Sequence, residues 1–252
     1  MMTRAAPRIR RSAGIGALAG TCAVLAACGS TSHAPATTPP PAPPVARSPA
    51  SSGVSLVARV RASRVGIYPR AGARRPASYL SNPNQYGFRR VLLVKRVVPR
   101  WLEVYLPRRP NGSTGWVRRR EVSVTGDPFL LRIDLTRHRL TLLRRGTVIN
   151  RGRIGVGRAV TPTPSGVYFL TELFRLTYPD GPYGPYGFGL SAYSNVLHEF
   201  AGADGQIGLH GTNDPGGIGT DVSHGCIRLA NPEITRLARL LPLGTPVHIV
   251  RD

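Results

Sequence analysis

Apolar positions recur with a period of two in two separate stretches of the chain, and this pattern predicts β-strands. Between about residue 54 and about residue 125, short apolar segments alternate with turns that contain Asn, Pro and Gly. These segments are residues 57–60, 91–94, 101–105 and 115–117. In the stretch that starts near Asp127, Leu131, Ile133 and Leu135 fall on one face of a strand. We therefore predict a mostly β protein built from two parts.

The second stretch, residues 127–252, has the pattern of several strands followed by one helix. Further strands are predicted at residues 140–142, 148–157, 167–170 and 247–250, with turns at 137–138 and 145–146 and a rigid Thr-Pro-Thr-Pro loop at 161–166. Asn231 can cap the helix, and Pro232 suits its first turn. Ile234, Leu237 and Leu241 then follow at helical spacing. This length is enough for one domain with its own hydrophobic core.

The N-terminal segment, residues 1–27, has the composition of an export signal. Basic residues precede a short run of small apolar ones, and Leu-Ala-Ala-Cys closes the segment at Cys28. That tetrapeptide resembles the bacterial lipobox, which implies a lipidated Cys28 that anchors the protein to a membrane. Two alternatives stay open: an ordinary secretory signal in which Cys28 is incidental, and a retained transmembrane anchor, for which the apolar run is short.

Residues 28–53 are rich in Pro, Ala, Ser and Thr and contain almost no charge. A segment of this composition has too little apolar surface to fold, so it is predicted to be an extended spacer. Together with the lipid anchor, it places the expected location at the outer face of the cytoplasmic membrane or in the cell wall.

The formal net charge is +22, from 34 Lys and Arg against 12 Asp and Glu. In a cytoplasmic protein, this charge would favour nucleic acid as a partner. Export argues against nucleic acid. We therefore expect anionic lipids or the acidic polymers of a cell envelope as partners.

Cys226 carries the most chemical information in the chain. Because Cys22 lies in the signal and Cys28 is assigned to lipid, Cys226 is the remaining thiol; the alternative is a Cys28–Cys226 disulfide. A thiol becomes a strong nucleophile when a neighbouring base removes its proton, and His210 and His224 both lie nearby in the sequence.

The surrounding motif resembles the signature of the L,D-transpeptidase family, which has a YkuD-like catalytic domain. It consists of His210-Gly211-Thr212 followed by Ser223-His224-Gly225-Cys226-Ile227-Arg228. The strand alternation and the Thr-Pro-Thr-Pro loop also resemble that domain, so the resemblance covers residues 127–252. It implies a YkuD-like β-sandwich with one or two short helices, and no cofactor.

The resemblance implies a role for each residue of the motif. Cys226 is the nucleophile, His210 donates and accepts the proton, and the Gly211 carbonyl orients His210. Backbone N–H groups of His224, Gly225 and Cys226 form the oxyanion hole. The candidates for substrate binding are Arg228, Ser223 and Thr212. Ser223 is expected to fix the loop by hydrogen bonding and not to react itself.

Other assignments of these residues stay open from the sequence. His224 could be the base instead of His210, and Asp214 or Asp221 could orient the imidazole. A zinc site at His210, His224 and Cys226 is disfavoured because their spacing lacks the paired ligands that are typical of zinc. We therefore expect no metal.

Residues 54–125 resemble a small SH3-like barrel, on the basis of the Trp-Leu-Glu-Val strand at Trp101 and the Gly-Trp-Val strand at Trp116. This part either binds the wall or positions substrate, or it supports the second part with both tryptophans in its core. Residues 178–187, rich in Gly, Pro and Tyr, form either a lid over the site or a surface loop.

The resemblance implies a peptidoglycan L,D-transpeptidase. The Cys226 thiolate attacks the L,D bond of a tetrapeptide stem, releases D-alanine and transfers the acyl group to an amine of another stem, which forms a 3→3 cross-link. The alternatives are an L,D-carboxypeptidase, in which water accepts the acyl group, and a non-catalytic wall-binding lipoprotein. The family further implies that carbapenems acylate Cys226.

Overall fold

The structure is a computed structural model that describes residues 53–200 and 202–252. The predicted signal, the lipidation site Cys28 and nearly all of the spacer lie outside the described residues. Within the described part of the chain, no helix is long and apolar enough to cross a membrane.

The first half is a five-stranded antiparallel sheet with an additional hairpin. Its strands are β1 (Ser55–Val60), β2 (Arg64–Ile67), β3 (Ser78–Ser81), β4 (Val91–Val98), β5 (Trp101–Tyr105), β6 (Thr114–Arg118) and β7 (Val122–Asp127). The order in the sheet is β6-β5-β4-β1-β7, and β2 pairs with β3. Aliphatic side chains of these strands form a core of their own.

The second half contains ten strands and one α-helix. They are β8 (Phe129–Asp134), β9 (Arg139–Arg144), β10 (Thr147–Arg153), β11 (Val156–Gly157), β12 (Gly166–Arg175), β13 (Tyr186–Tyr193), β14 (Gln206–His210), β15 (Asp221–Ser223), β16 (Ile227–Arg228), α1 (Asn231–Leu240) and β17 (Pro246–Val250). Eight strands form one sheet in the order β10-β9-β8-β17-β12-β13-β14-β16, while β11 pairs with β15. The prediction of a mostly β fold is confirmed.

The two halves meet across a continuous apolar boundary. Only Pro128 separates β7 from β8. The Phe169 side chain, on β12 of the second half, is fully buried in the core of the first half, and Leu243 packs against both cores. All the described residues belong to one compact unit. The SH3-like assignment of the first half stays a prediction.

The helix begins one residue earlier than its sequence suggests, so the predicted capping role of Asn231 is wrong. Ala230 occupies the N-cap position without a side-chain hydrogen bond, and Pro232 lies in the first turn. The Asn231 side chain instead accepts a hydrogen bond from the Thr212 backbone N–H at 2.9 Å. The predicted apolar face is confirmed, because Ile234 and Leu237 are fully buried.

Candidate active site

Two adjacent parallel strands bring the thiol and an imidazole together. His210 is the last residue of β14, and Cys226 immediately precedes β16. The register pairs Leu209 with Ile227 and His210 with Arg228. Strand pairing therefore brings Cys226 close to His210, although they are sixteen positions apart in the sequence.

Gly208 lies between the two reactive groups. Its backbone N–H donates a hydrogen bond to Cys226 Sγ at 3.3 Å. A Cβ atom built on Gly208 would lie 3.6 Å from Cys226 Sγ and 3.6 Å from His210 Cδ2. The thiol and the imidazole thus flank the same small volume, and the absence of a side chain at Gly208 keeps that volume open.

A backbone carbonyl fixes the orientation of His210. The imidazole Nδ1 lies 2.6 Å from the Gly211 carbonyl oxygen, as the sequence predicts. Since a carbonyl only accepts, Nδ1 carries the proton and Nε2 is the basic nitrogen. Burial lowers the pKa of His210 to about 4, although the hydrogen bond to Gly211 favours the charged ring.

The thiol is uncharged in the resting site. Burial raises the pKa of the Cys226 thiol, and the Gly208 hydrogen bond and the charge of Arg228 offset part of this rise. Because His210 is neutral above about pH 4, the resting pair is a thiol beside a neutral imidazole. Nucleophilic attack by this sulfur would therefore require proton transfer to accompany it.

The pair opens into a cavity of about 280 Å³ with mostly apolar walls. The walls come from several segments and include Tyr86, Phe174, Leu176, Tyr183, Phe188, Phe200 and Ile207. Tyr86 belongs to the first half of the chain, between β3 and β4. The cavity is therefore built by both halves.

The turn that carries Cys226 is fixed by hydrogen bonds. Ser223 Oγ donates to the Cys226 carbonyl at 2.6 Å and accepts from the Gly225 N–H at 3.0 Å. Thr163 Oγ1, from the Thr-Pro-Thr-Pro loop, accepts from the Gly157 N–H at 2.9 Å and donates to the Gly225 carbonyl at 2.8 Å. Gly225 has φ +123°, a conformation that only glycine adopts readily.

These contacts correct two sequence expectations. The Gly225 N–H is used within the turn, so in this conformation it does not contribute to an oxyanion hole. Ser223 is fully buried with both of its contacts inside the turn, which makes it a structural residue of the loop and not a substrate contact. The N–H groups of His224 and Cys226 donate to no group within residues 53–200 and 202–252.

His224 lies at the rim of the site. Its side chain is exposed, and its ring stacks on Phe200 with centroids 4.8 Å apart. His210, in contrast, is 5% exposed and flanks Gly208 together with the thiol. This arrangement favours His210 as the base over the reversed assignment.

Asp214 and Asp221, the carboxylates that could have oriented His210, contact other residues. Asp221 Oδ1 contacts His138 Nε2 at 2.8 Å, and Asp214 Oδ2 lies 4.0 Å from Arg228 Nη1. The imidazole of His210 is oriented by a carbonyl and by neither carboxylate.

The substrate-binding candidates Arg228 and Thr212 do not line the cavity. The hydroxyl of the buried Thr212 accepts from the Asp214 N–H at 3.0 Å, so the residue holds its own turn. Arg228 is half-buried, and its charge lowers the pKa of both His210 and Cys226. Contact between Arg228 and a substrate carboxylate stays a prediction.

The loop at residues 178–187 borders the site. The Tyr183 ring packs against the His210 ring, with centroids 4.9 Å apart. The Gly184 backbone lies against Gly211 and the Asn231 side chain so closely that a Cβ on Gly184 would clash with both. The loop therefore covers one side of His210, while Tyr178 at its start is exposed. Movement of the loop as a lid stays a prediction.

Segments of the first half brace the rim on the other side. The Arg109 guanidinium donates to three backbone carbonyls between residues 194 and 204, at 2.8 to 3.2 Å. Asn111 exchanges hydrogen bonds with the backbone of Tyr193. These contacts hold the segment that ends at Phe200 and forms part of the cavity wall.

Sequence reasoning missed several of these residues. Gly208 could have been found, because it precedes His210 by two positions on the same strand. Side chains alternate along a strand, so the two residues lie on the same face. The contributions of Tyr86 and Arg109 carry no local signal, since their partners lie far away in the chain. Within the described residues, no three His, Cys, Asp or Glu side chains form a group that could hold a metal ion.

Residues 128–249 match the family model of the L,D-transpeptidase catalytic domain. YkuD of Bacillus subtilis is 35% identical over 124 residues, which are 49% of this chain and 67% of that protein. YqjB of the same species is 30% identical over 143 residues, 52% of this chain and 76% of that protein. The structure of an L,D-transpeptidase from Mycobacterium tuberculosis aligns with a TM-score of 0.42 and 15% identity, over 64% of this chain and 90% of that one. On the sequence matches, the chain belongs to the L,D-transpeptidase family of acyltransferases.

Proposed function

We propose that this protein is a peptidoglycan L,D-transpeptidase in which Cys226 is the nucleophile and His210 is the general base. The observation that carries the proposal is the shared position of the two groups around Gly208, at the end of an apolar cavity. A thiol and an imidazole with a fixed tautomer, next to an open volume, are the elements that covalent acyl transfer requires.

In the first step, Sγ of Cys226 attacks the carbonyl carbon of the L,D bond between the third stem residue and the terminal D-alanine. His210 Nε2 takes the thiol proton as the C–S bond forms. The imidazolium then gives this proton to the departing nitrogen, the C–N bond breaks, and D-alanine leaves. The Gly211 carbonyl stabilises the transient imidazolium through Nδ1–H.

The developing oxyanion needs donors that are not already used. The backbone N–H groups of His224 and Cys226 meet this requirement within the described residues. Their amides lie next to the sulfur in the chain, so they are the donors that we assign to the oxyanion hole.

In the second step, an amine of another stem attacks the thioester. His210 accepts a proton from this amine and returns one to the leaving sulfur, so the 3→3 amide forms and the thiol is restored. Water in place of the amine would give an L,D-carboxypeptidase with the same residues.

The anchor and the location form part of the proposal and rest on the sequence. A lipidated Cys28 and the Pro-rich spacer would hold the catalytic unit at the outer face of the cytoplasmic membrane, next to stem peptides. Replacement of Cys28 by Ala should move the protein from the membrane fraction to the soluble fraction after cell lysis.

The test uses the full-length protein with purified disaccharide-tetrapeptides and mass spectrometry of the products. Cross-linked dimers that have lost one D-alanine are expected, and Cys226→Ala should abolish them. His210→Ala should reduce the rate by about a hundredfold or more, whereas His224→Ala should retain most activity because its imidazole is not the base. Tripeptide as the sole product would establish the carboxypeptidase. A folded protein without any product would contradict catalysis.

A further inference from the structure

A second concave feature lies in the first half of the chain, and the proposed reaction does not use it. It is a groove of about 920 Å³, compared with about 280 Å³ for the catalytic cavity, and the two share no lining residue. Its walls contain five arginines, and Trp101 and Val122 also line it; the arginines are Arg61, Arg100, Arg118, Arg119 and Arg120.

Strand connections converge to bring these arginines together. Arg118 ends β6, and Arg119 and Arg120 form the short 3-10 turn that leads into β7. The Arg119 N–H donates to the carbonyl of Arg100, in the turn between β4 and β5, at 3.0 Å. The Arg61 N–H donates to the carbonyl of Glu121 at 3.3 Å. The backbone therefore sets the spacing of the charges.

Among the described residues, the arginines of this groove are not paired with carboxylates, although Glu121 ends the same 3-10 turn as Arg119 and Arg120. None of its lining residues is acidic, and none of the five arginines forms an ion pair with Asp or Glu in the part of the chain that the structure describes. By comparison, Lys95 and Arg96 on β4 share Glu103, at 3.0 Å each. The positive charges in the groove repel each other and create a concentrated positive potential. An anionic ligand would be attracted by this potential and would reduce the repulsion.

Part of the groove is already ordered for binding. The Arg118 guanidinium lies over the Tyr68 ring at 4.8 Å and over the Trp101 ring at 5.7 Å. The two rings contact each other edge to face, with centroids 4.9 Å apart. Arg118 Nη2 also donates a long hydrogen bond to the Arg74 carbonyl at 3.4 Å. Stacking on aromatic faces fixes the plane of the guanidinium and leaves its remaining N–H groups to bind an anion.

We propose that this groove binds a linear phosphodiester polymer. Five guanidinium groups exceed what one small anion can pair with, so a ligand with repeated charges fits the groove better. Arginine, without any lysine, suits the bidentate recognition of phosphate oxygens. A chain can follow a concave groove down to Trp101, whereas a flat membrane surface would reach only its rim. This site would hold the enzyme on an anionic polymer, independently of the acyl transfer reaction.

The test measures binding of the full-length protein to fluorescently labelled poly(glycerol phosphate) by anisotropy at physiological salt. The groove variant replaces three exposed arginines by glutamine: Arg100, Arg119 and Arg120. The matched control replaces three exposed arginines outside the groove by glutamine: Arg151, Arg239 and Arg251. Both variants lose the same net charge, and neither changes a residue of the proposed active site.

We expect the groove variant to raise Kd by about tenfold or more and the control by about threefold or less, since only the groove concentrates the field. Equal losses in the two variants would overturn the proposal, because net charge alone would then explain binding. Absence of binding by the unaltered protein would also overturn it. Vesicles with anionic lipid form a second arm: groove-dependent binding to vesicles, without binding to the polymer, would reject the polymer in favour of a membrane surface. Unchanged cross-linking of soluble stems would confirm that the variants are folded.

Discussion

Asn84 Nδ2 donates a hydrogen bond to the buried carboxyl group of Glu172 at 2.5 Å, and this contact joins the two halves of the protein next to the catalytic cavity. Glu172 also accepts hydrogen bonds from Thr171 Oγ1 and from Gln206 Nε2, at 2.5 and 3.0 Å. Gln206 begins β14, the strand that ends with His210. A polar chain of three side chains therefore connects the first half to the strand of the proposed base.

Replacement of Glu172 by Gln should destabilise the protein by about 1–3 kcal/mol, because the new amide group would face a buried donor instead of accepting from it. The measurement is the free energy of unfolding in denaturant at pH 7. Glu199→Gln, at an exposed position, is the matched control and should change this value by about 0.5 kcal/mol or less. Equal effects of the two substitutions would show that the network does not stabilise the fold.

Tyr86→Ala should weaken the binding of the stem that donates the acyl group. Tyr86 lines the catalytic cavity and packs edge to face on Phe174, with centroids 5.7 Å apart. Loss of an aromatic contact of about 1 kcal/mol corresponds to an increase of about fivefold in KM, with kcat little changed.

The control for Tyr86 is Tyr79→Ala, an exposed tyrosine of the same half that does not line the cavity. It should leave KM unchanged. A fall in kcat without a change in KM for Tyr86→Ala would mean that this residue positions the catalytic groups and does not contact the donor stem.

Gly208→Ala should give a folded but slow enzyme. The new methyl group would make ordinary van der Waals contacts, 3.6 Å from Cys226 Sγ and from His210 Cδ2, so the fold should tolerate it. It would occupy the volume between the nucleophile and the base. We expect a loss of about a hundredfold in kcat/KM, the size of effect that a displacement of reacting groups by about 1 Å produces.

Gly152→Ala provides the comparison, since its Cβ would also make ordinary contacts, at 3.8 Å from Glu233 Cγ, but far from the thiol in the sheet order. Its kcat/KM should match that of the unaltered protein. Full activity of Gly208→Ala would contradict the assignment of the reaction to this volume.

The stability of the protein should fall in acid because of His210. The pKa of this residue is lowered from 6.5 to about 4 in the folded state, so the unfolded state binds a proton first as the pH falls. The stability that neutral His210 provides is therefore present above about pH 6.5 and is lost towards pH 4, by about 3 kcal/mol in total.

The measurement compares unfolding free energies of the unaltered protein and His210→Asn between pH 8 and about pH 4.5. The difference between the two proteins should shrink as the pH falls. His198→Asn, which changes an exposed histidine, should retain the acid loss of the unaltered protein. A constant difference across the range would mean that His210 is not held neutral by burial.

The local motif was sufficient to predict that Cys226 and His210 lie close together, because strand pairing of β14 with β16 is encoded within a short stretch of chain. It was not sufficient for the capping role of Asn231 or for a substrate contact of Ser223, whereas the expectation that Ser223 fixes the loop agrees with its contacts. Both side chains form specific contacts, with the turn of Cys226 and with Thr212, that override their usual preferences. Gly225 was also misassigned, because the sequence does not reveal which N–H groups the turn itself uses.

The share of the first half in the cavity could not be predicted from local patterns. Asn84 and Glu172 are 88 positions apart, and no sequence period links them. The pattern correctly gave the strands around Trp101 and Trp116, and Trp116 is buried as expected for a core residue. Trp101 is less buried than Trp116, because it lines a groove where Arg118 stacks on its ring. Such differences depend on tertiary packing.

The position of Phe169 limits how this protein can be divided or recombined. Its ring belongs to the second half by sequence and to the core of the first half by packing. A fragment that begins at Asp127 would expose this ring to water, together with the apolar surface that surrounds it. Exchange of the first half for an unrelated module would require a new apolar pocket of the same shape. Without such a pocket, the two halves should be transferable between proteins only as a pair, even though the chain passes from one to the other through a single residue.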